Sequence, residues 1–463
     1  MDSRYKYLFK NVGILTISNF SSKILVFLLV PLYTSVLSTE EYGTYDLAIT
    51  SVQLFFPIFT VNIIDAVMRF CMDKDHCKED IARIGFKYVL RSFIAMIVIL
   101  LIFDRTGMVK SFHGYIVYII LYYIFYVSVQ YLIQLAKGLE HIVDMGISGI
   151  IGTIVLIGGN IVFLIFFHLG LPGFFAASIF SQAGSCIYLS VRMRPWKYIL
   201  KGRDDKVLEK EMLHYCMPLI FTVIGWWING TADRYVVTFI CGIASNGLLS
   251  VAYKIPSIIN TLQNVFIQAW QVSAIKEYGE KDTSHFYGIA FLSLNIAMGS
   301  ACSLLILLSK QLARFLYARD FYPAWRYVPF LLISCAINCA SGFLGPVLSA
   351  KKDSRSMALS ALYGGISNII FNVILVYMFD VQGATIATLI SSYIIYMIRK
   401  KSIGDLVQFD HYWMMILMWG LLLIQSVIEI LSLSIKIELM IFLFLIAINI
   451  RMSRRIIKDE RVR

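Results

Sequence analysis

Charged residues are scarce in this sequence, 15% of 463 residues, where an ordinary soluble domain carries roughly 25%. Acidic residues are scarcer still, 29 against 41 lysines and arginines. A chain this poor in charge cannot cover its surface in water, which excludes an ordinary soluble globular enzyme. Proline is rare, nine in all, so few hydrophobic runs are interrupted. Long polar stretches are also missing. The largest connection between hydrophobic segments lies around 192–212, too short for a soluble domain. Paired Cys-x-x-Cys ligand sets are lacking as well. The eight cysteines lie mostly in apolar runs, as Cys302, Cys335 and Cys339 do, and read as small buried hydrophobes. Cys71 and Cys77 flank His76 without the second ligand pair of a zinc site. No catalytic residue, metal or cofactor is expected.

Hydrophobic residues make up 59% of the chain. Runs such as 93–103, 151–167, 364–379 and 414–430 reach about 20 residues with their flanks, the length that crosses a bilayer. In hydrocarbon the backbone must satisfy its own hydrogen bonds, so these spans are helices. The fold expected is all-α: a polytopic membrane protein with about 14 transmembrane helices. Their positions are near 11–34, 43–68, 85–103, 114–136, 146–168, 173–191, 213–235, 246–272, 286–309, 327–349, 357–379, 383–398, 412–431 and 437–450. The N-terminus lacks a short apolar core followed by a small-residue cleavage site, so the first helix is expected to stay in the protein. Basic residues concentrate in 192–210, 351–355, 399–401 and 451–463. By the positive-inside tendency these segments, and both termini, face the cytoplasm. The net charge of +12 therefore reads as topology and not as nucleic-acid binding.

The chain also repeats itself. Tyr42-Gly-Thr-Tyr-Asp-Leu-Ala48 opens the second span, and Asn246-Gly-Leu-Leu-Ser-Val-Ala252 opens the eighth. Gly173-Phe-Phe-Ala-Ala-Ser178 opens the sixth, and Gly383-Ala-Thr-Ile-Ala-Thr388 the twelfth. Ala136-Lys137 and Ala350-Lys351 follow the fourth and the tenth. The offsets agree at roughly 204 to 214 residues, the pattern of an internal repeat. Two pseudo-symmetric six-helix bundles are expected, 1–212 and 213–402, with two further helices and a basic tail in 403–463. An even number of spans per half makes the two halves run the same way, with a cleft between them.

Several spans carry polar residues at helical spacing. The eighth has Lys254, Ser257, Thr261, Asn264, Gln268 and Gln271; the second has Asp46, Thr50, Gln53, Pro57 and Thr60. Under the repeat Thr50 matches Lys254, and Gln53 matches Ser257. Span seven adds Thr222, Trp226, Asn229 and Asp233, and span one adds Thr16, Asn19 and Lys23. The plain alternative for any one Ser or Thr is helix packing. It accounts less well for Lys23 and Lys254, because an intramembrane lysine costs about 2.5–3.5 kcal/mol on insertion scales. All four seams are expected to point into one hydrated cavity between the halves, with Asn19, Lys23, Thr50, Gln53, Asn229, Lys254, Asn264 and Gln268 as binding residues. Asp65 and Arg69 lie one turn apart and read as an intrahelical ion pair. Asp65 and Asp233 are candidates for ion coupling, and Arg69 and Arg234 for a gate or ion pair, although Arg234 also suits an interfacial anchor. Gly146, Gly149 and Gly152 read as a close helix contact, since no strand precedes them.

The segments Ala232-Asp-Arg-Tyr-Val-Val237 and Asn246-Gly-Leu-Leu-Ser-Val-Ala-Tyr-Lys254 together resemble the Asp-Arg…Gly-x-Tyr-x-x-Ala signature of the polysaccharide-biosynthesis flippases. Ser18-Asn19, Pro31 and Glu40-Glu-Tyr-Gly-Thr-Tyr-Asp-Leu-Ala48 resemble it in the first half. These are the O-antigen and repeat-unit translocases of the multidrug/oligosaccharidyl-lipid/polysaccharide (MOP) exporter superfamily. Leu248-Leu249 departs from the pattern, which prefers an aromatic after the glycine. The resemblance implies two bundles that rock around a central cavity. It implies an undecaprenyl-pyrophosphate-linked oligosaccharide as substrate, moved to the periplasmic leaflet of the bacterial inner membrane for O-antigen, capsule or exopolysaccharide assembly. Membrane lipids, a polysaccharide polymerase and a chain-length regulator are the partners it implies. Two rival functions remain open: a drug/cation antiporter on the same fold, whose cavity would need to be acidic, and a membrane-embedded polysaccharide polymerase or transferase, which would need an external loop or a carboxylate or histidine cluster.

Overall fold

The computed structural model describes residues 25–462 apart from 74, 108–109, 281 and 410–411. All regular structure among them is helical. Nine helices are long and apolar enough to cross a membrane by length and composition, or ten if the bent pair Thr39–Phe59 and Ile63–Cys71 counts as one span. Span one lies mostly outside the described residues. Spans eleven and twelve are joined in one run, Ser354–Ile403, broken by non-helical backbone at Phe379 and Asp380. Span eight is helical but too polar to pass the same test, and span fourteen lies in the helix Ile435–Val462, which does not pass it either.

The chain divides into two compact units, Met1–Trp227 and Ile228–Arg463. In the N-terminal unit the helices are α1 (Val30–Val36), α2 (Thr39–Phe59), α3 (Ile63–Cys71), α4 (Lys78–Thr106), α5 (Ile116–Gly138), α6 (Ile142–Asn160), α7 (Gly170–Met193) and the short α8 (Trp196–Lys201). Helix α9 (Lys206–Cys241) begins here and carries the division within it. The C-terminal unit continues with α10 (Ile243–Ala252), α11 (Lys254–Lys276), α12 (Thr283–Leu307), α13 (Ser309–Leu316), α14 (Val328–Ala350), α15 (Ser354–Ile403), α16 (Tyr412–Leu431) and α17 (Ile435–Val462).

Helix α2 starts where its sequence says it should. Ser38 accepts from the Glu41 amide at 3.1 Å, and the Glu41 carboxylate accepts from the Ser38 amide at 2.8 Å. This reciprocal capping box satisfies two end donors, so the acidic Glu40-Glu41 pair is a helix start. Pro57 then removes one backbone donor inside α2. Val61 and Asn62 both take positive φ, and the chain bends by 61° into α3. A β-branched residue at positive φ is an outlier that the surroundings must hold in place.

Helices α6 and α7 pack closely. Ser181 donates to the Gly152 carbonyl at 2.7 Å, and Ser185 donates to the Ser148 carbonyl at 2.9 Å. A Cβ on Gly152 would fall 2.5 Å from Ser185 Oγ. Gly152 is thus the close contact expected of the glycine series, whereas Gly149 faces open space. Small residues and hydroxyl bonds of this kind drive helix association in lipid, where burial alone supplies little. The connection after α7 is built as well. Arg83 reaches Asp204 at 3.3 Å, and Lys87 reaches Glu209 at 3.0 Å.

In the C-terminal unit α14 is the central element. It is apolar nearly all round and almost wholly buried, as such a helix must be. Its small residues Ala336, Cys339, Ala340, Ser341 and Gly345 let neighbours approach. Helix α11 packs on it through the Trp270 indole, which donates to the Phe343 carbonyl at 3.0 Å, and the Gln263 amide, which donates to the Asn338 carbonyl at 3.1 Å.

Positions that the expected repeat pairs are packed within each unit. In the N-terminal unit Tyr45 packs on Phe174 with ring centroids 4.3 Å apart, and its hydroxyl lies 2.7 Å from Ser178 Oγ. In the C-terminal unit their counterparts Leu249 and Ala384 share one buried cluster with Val237, Val376 and Val381. The paired glycines behave alike. A Cβ on Gly173 would meet Leu169 and Phe163 at 2.9 and 3.1 Å, and one on Gly383 would meet the Leu375 carbonyl at 2.0 Å. Both glycines allow the preceding segment to fold back onto the new helix.

Candidate functional site

Helix α11 is two-faced. Ile259, Gln263, Trp270 and Ala274 are buried, while Ser257, Asn260, Asn264, Gln268 and Gln271 are exposed. Steps of three and four residues place the second set on one face. Of the residues expected on the polar seam, Ser257, Asn264, Gln268 and Gln271 are exposed. Thr261 is buried and bonds back to the Ser257 carbonyl at 2.8 Å, and Asn260 takes its place on the open face. Lys254 is half-buried at the start of α11.

The matching stripe on α2 differs. Gln53 is exposed, but Thr50 and Thr60 are buried, and their hydroxyls donate to the carbonyls of Asp46 and Phe56 at 2.8 and 2.7 Å. The Thr50 carbonyl also accepts from the Trp227 indole at 3.1 Å. The two hydroxyls are thus satisfied by backbone carbonyls of α2 itself. Asn19 and Lys23 lie outside the described residues.

Asp65 and Arg69 do not pair. Asp65 accepts from the Asn62 and Gln134 side-chain amides, each at 2.9 Å, and Arg69 reaches Asp73 at 3.5 Å. The bend at Val61 and Asn62 turns Asn62 toward Asp65, and α5 supplies Gln134. A carboxylate thus sits at a break in a helix, between neutral donors.

Asp233 is buried in α9 and accepts a hydrogen bond from the phenol of Tyr253. The Arg234 amide donates to the same carboxylate at 2.9 Å, and the Arg234 guanidinium lies 5.6 Å from the Tyr253 ring centre. The acid and tyrosine of the Asp-Arg…Tyr-Lys motif therefore touch. Asn229, one turn earlier, donates to the Ala361 carbonyl at 2.9 Å and lies over Gly364 and Gly365.

Two polar features escaped the sequence reading. Arg399 is buried rather than part of a cytoplasmic loop, and donates to the Ser341 carbonyl at 2.8 Å and to Ser360 Oγ at 3.1 Å. Glu429 and Glu438 are buried beside Lys310. Each draws its partners from helices far apart in sequence, so no local motif marks them. The one available signal is a Glu inside an otherwise apolar span. No group of three or more His, Cys, Asp or Glu among the described residues could hold a metal ion.

An all-helical body with nine or ten helices among the described residues able to cross a membrane by length and composition defines a polytopic membrane protein. The family model described as polysaccharide biosynthesis protein matches residues 8–271, more than half of the chain, and the chain belongs to that family. No curated protein sequence matches it at a significant level. Among solved structures it is similar to the lipid II flippase MurJ in an inward closed conformation. That match has a TM-score of 0.72 and 15% identity, and covers 97% of this chain and 99% of that one. It is also similar to an inward-facing multidrug resistance MATE family transporter of the MOP superfamily, with a TM-score of 0.62 and 12% identity over 85% of this chain and 95% of that one. A MOP superfamily transporter from Pyrococcus furiosus with a binding pocket of reversed polarity matches at a TM-score of 0.60 and 12% identity, over 86% and 96%. At these identities the likeness is one of fold, the multi-pass fold of MOP transporters.

Proposed function

We propose that the chain is a flippase for lipid-linked oligosaccharides, moving undecaprenyl-pyrophosphate-linked repeat units across the bacterial inner membrane for O-antigen, capsule or exopolysaccharide assembly. The observation that carries this reading is the polar face of α11, where Ser257, Asn260, Asn264, Gln268 and Gln271 stand exposed on a helix whose other face is buried. Neutral amides and hydroxyls suit sugar hydroxyls, which ask for many exchangeable hydrogen bonds and no fixed charge. Lys254 stands at the start of the same helix. An ammonium there would hold a pyrophosphate through charge-assisted contacts, and Lys23 would serve likewise from span one, with Asn19 and Gln53 as further sugar contacts. The family match and the flippase fold of MurJ support a lipid-linked substrate.

Asp65 and Asp233 are the candidates to couple transport to a proton or sodium gradient. Asp65 accepts from two side-chain amides beside the bend at Val61 and Asn62, and Asp233 is buried within α9 and accepts from the Tyr253 phenol. The repeats are assigned to 1–212 and 213–402, with 403–463 as the added helices and tail. Both termini face the cytoplasm in this reading, and a polysaccharide polymerase and chain-length regulator are its partners. The reading is tested in cells that depend on this chain for surface polysaccharide. Lys23→Ala with Lys254→Ala should accumulate the lipid-linked precursor and lose the polymer. Normal polymer from a well-expressed double variant would remove the pyrophosphate role.

A further inference from the structure

At one end of the C-terminal unit, α12 stops at Leu307, α13 begins at Ser309, α16 ends at Leu431 and α17 begins at Ile435. Four side chains meet there. Glu429, 3% exposed, accepts from Ser309 Oγ at 2.8 Å and from Lys310 Nζ at 3.2 Å. Lys310 also donates to the Glu429 carbonyl at 3.1 Å, and its ammonium lies 4.6 Å from the Trp325 ring centre. Glu438, in the first turn of α17 and 1% exposed, lies against the Glu429 carboxyl at hydrogen-bonding range. Its Oε2 is buried and receives no hydrogen bond from any described residue.

Two carboxyls in contact need a proton between them, because neither oxygen is otherwise a donor. Charge points the same way. One ammonium faces two buried carboxyls, so the cluster is neutral only when one of them is protonated, and a buried net charge is strongly disfavoured. The geometry leaves little room to relax. One turn deeper, Ser303 Oγ donates to Gln425 Oε1 at 2.7 Å, and Gln425 returns a bond to the Ser303 carbonyl at 3.0 Å. Further along α17, Asn449 donates to Ser300 Oγ at 2.6 Å. These bonds fix α16 and α17 against α12. The charged groups that act on Glu438 are Glu429 of α16 and Lys310 of α13. Helix α12 presents no Asp, Glu, Lys or Arg, and its His285 lies at the opposite end of the helix.

We propose that Glu429 and Glu438 form a buried proton-binding site that clamps α17 to α16 and α13 while one proton is shared, and releases the start of α17 when that proton leaves. The ligand is a proton and not a metal cation, since the site offers two carboxyls whose other contacts are already a hydroxyl and an ammonium. The proposal concerns this cluster alone and stands whether or not the chain moves a lipid-linked sugar.

The test uses the full chain in detergent or nanodiscs. Infrared spectroscopy should detect a protonated carboxyl at pH 6 that disappears by pH 9, and that band should be missing from both Glu438→Gln and Glu429→Gln. Hydrogen-exchange protection of 435–444, corrected for intrinsic rate, should fall at least tenfold over the same range in the wild type. In Glu438→Gln, which keeps a neutral side chain, it should stay level. The proposal is overturned if the band survives in both variants, if protection is independent of pH, or if sodium abolishes the band at constant pH. Should Glu438→Gln not accumulate, the wild-type titration and Glu429→Gln still decide the matter.

Discussion

The phenol of Tyr253 donates a hydrogen bond to the carboxylate of Asp233, twenty residues earlier in the chain. Asp233 is 2% exposed, so this bond helps to keep an acid inside a membrane protein. Removing one donor from a buried charged group costs about 1–3 kcal/mol. Tyr253→Phe should therefore lower the melting temperature of the purified protein. An unchanged melting temperature would show that the pair contributes no stability.

The two faces of α11 should separate function from folding. Asn264→Leu with Gln268→Leu alters exposed positions, where stability usually moves by no more than about 0.5 kcal/mol. Transport should fall at least tenfold while melting stays put. Gln263→Leu, on the packed face, loses the bond to the Asn338 carbonyl. It should cost about 1 kcal/mol and leave the transport of folded protein largely intact. Equal transport by both variants would dissolve the distinction.

The paired glycines predict unequal costs from the same substitution. A methyl on Gly383 would meet backbone, the Leu375 carbonyl, at 2.0 Å, whereas one on Gly173 would meet mainly side chains at about 3 Å. Gly383→Ala should cost about 3 kcal/mol or more, and Gly173→Ala nearer 1 kcal/mol. The check is the yield of monodisperse protein and its melting temperature. Reversal of this order would contradict the packing described.

Asp353 caps α15. The Ser356 amide and then its hydroxyl donate to it at 3.0 and 2.8 Å, and these bonds hold the carboxyl below its ordinary value. A lowered carboxyl contributes stability at neutral pH that is lost as pH falls through the folded-state value. Asp353→Asn should flatten the acid limb of a stability-against-pH curve below about pH 4 and leave the alkaline limb alone. Identical acid limbs would show that the cap is not felt.

The order of helices was legible in the sequence because hydrophobic length alone marks a span. At positions paired by the expected repeat, Tyr45 packs on Phe174 and Leu249 shares a buried cluster with Ala384. What escaped the sequence was geometry set by neighbours. Thr261 and Asn260 are adjacent in sequence, and only the folded chain shows that Thr261 is the buried one. The bend at Val61 and Asn62 follows Pro57 but runs against the propensity of valine, so tertiary contacts impose it. Arg69 sits within reach of both Asp65 and Asp73. Asn62 and Gln134 engage Asp65, which leaves Asp73 for the arginine. Lys310 directly follows the ninth expected span, and only the folded chain brings Glu429 and Glu438 to it.

The central claim is that the polar face of α11 and Lys254 carry a lipid-linked oligosaccharide. It is tested most directly by reconstituting the full chain in liposomes with a fluorescent undecaprenyl-pyrophosphate oligosaccharide and measuring protection of the sugar from an external glycosidase. Wild-type protein should expose or sequester the sugar many times faster than empty liposomes, and Lys254→Ala with Asn264→Leu and Gln268→Leu should reduce that rate to near background. Wild-type rates equal to those of empty liposomes, or a triple variant as fast as wild type, would contradict the account.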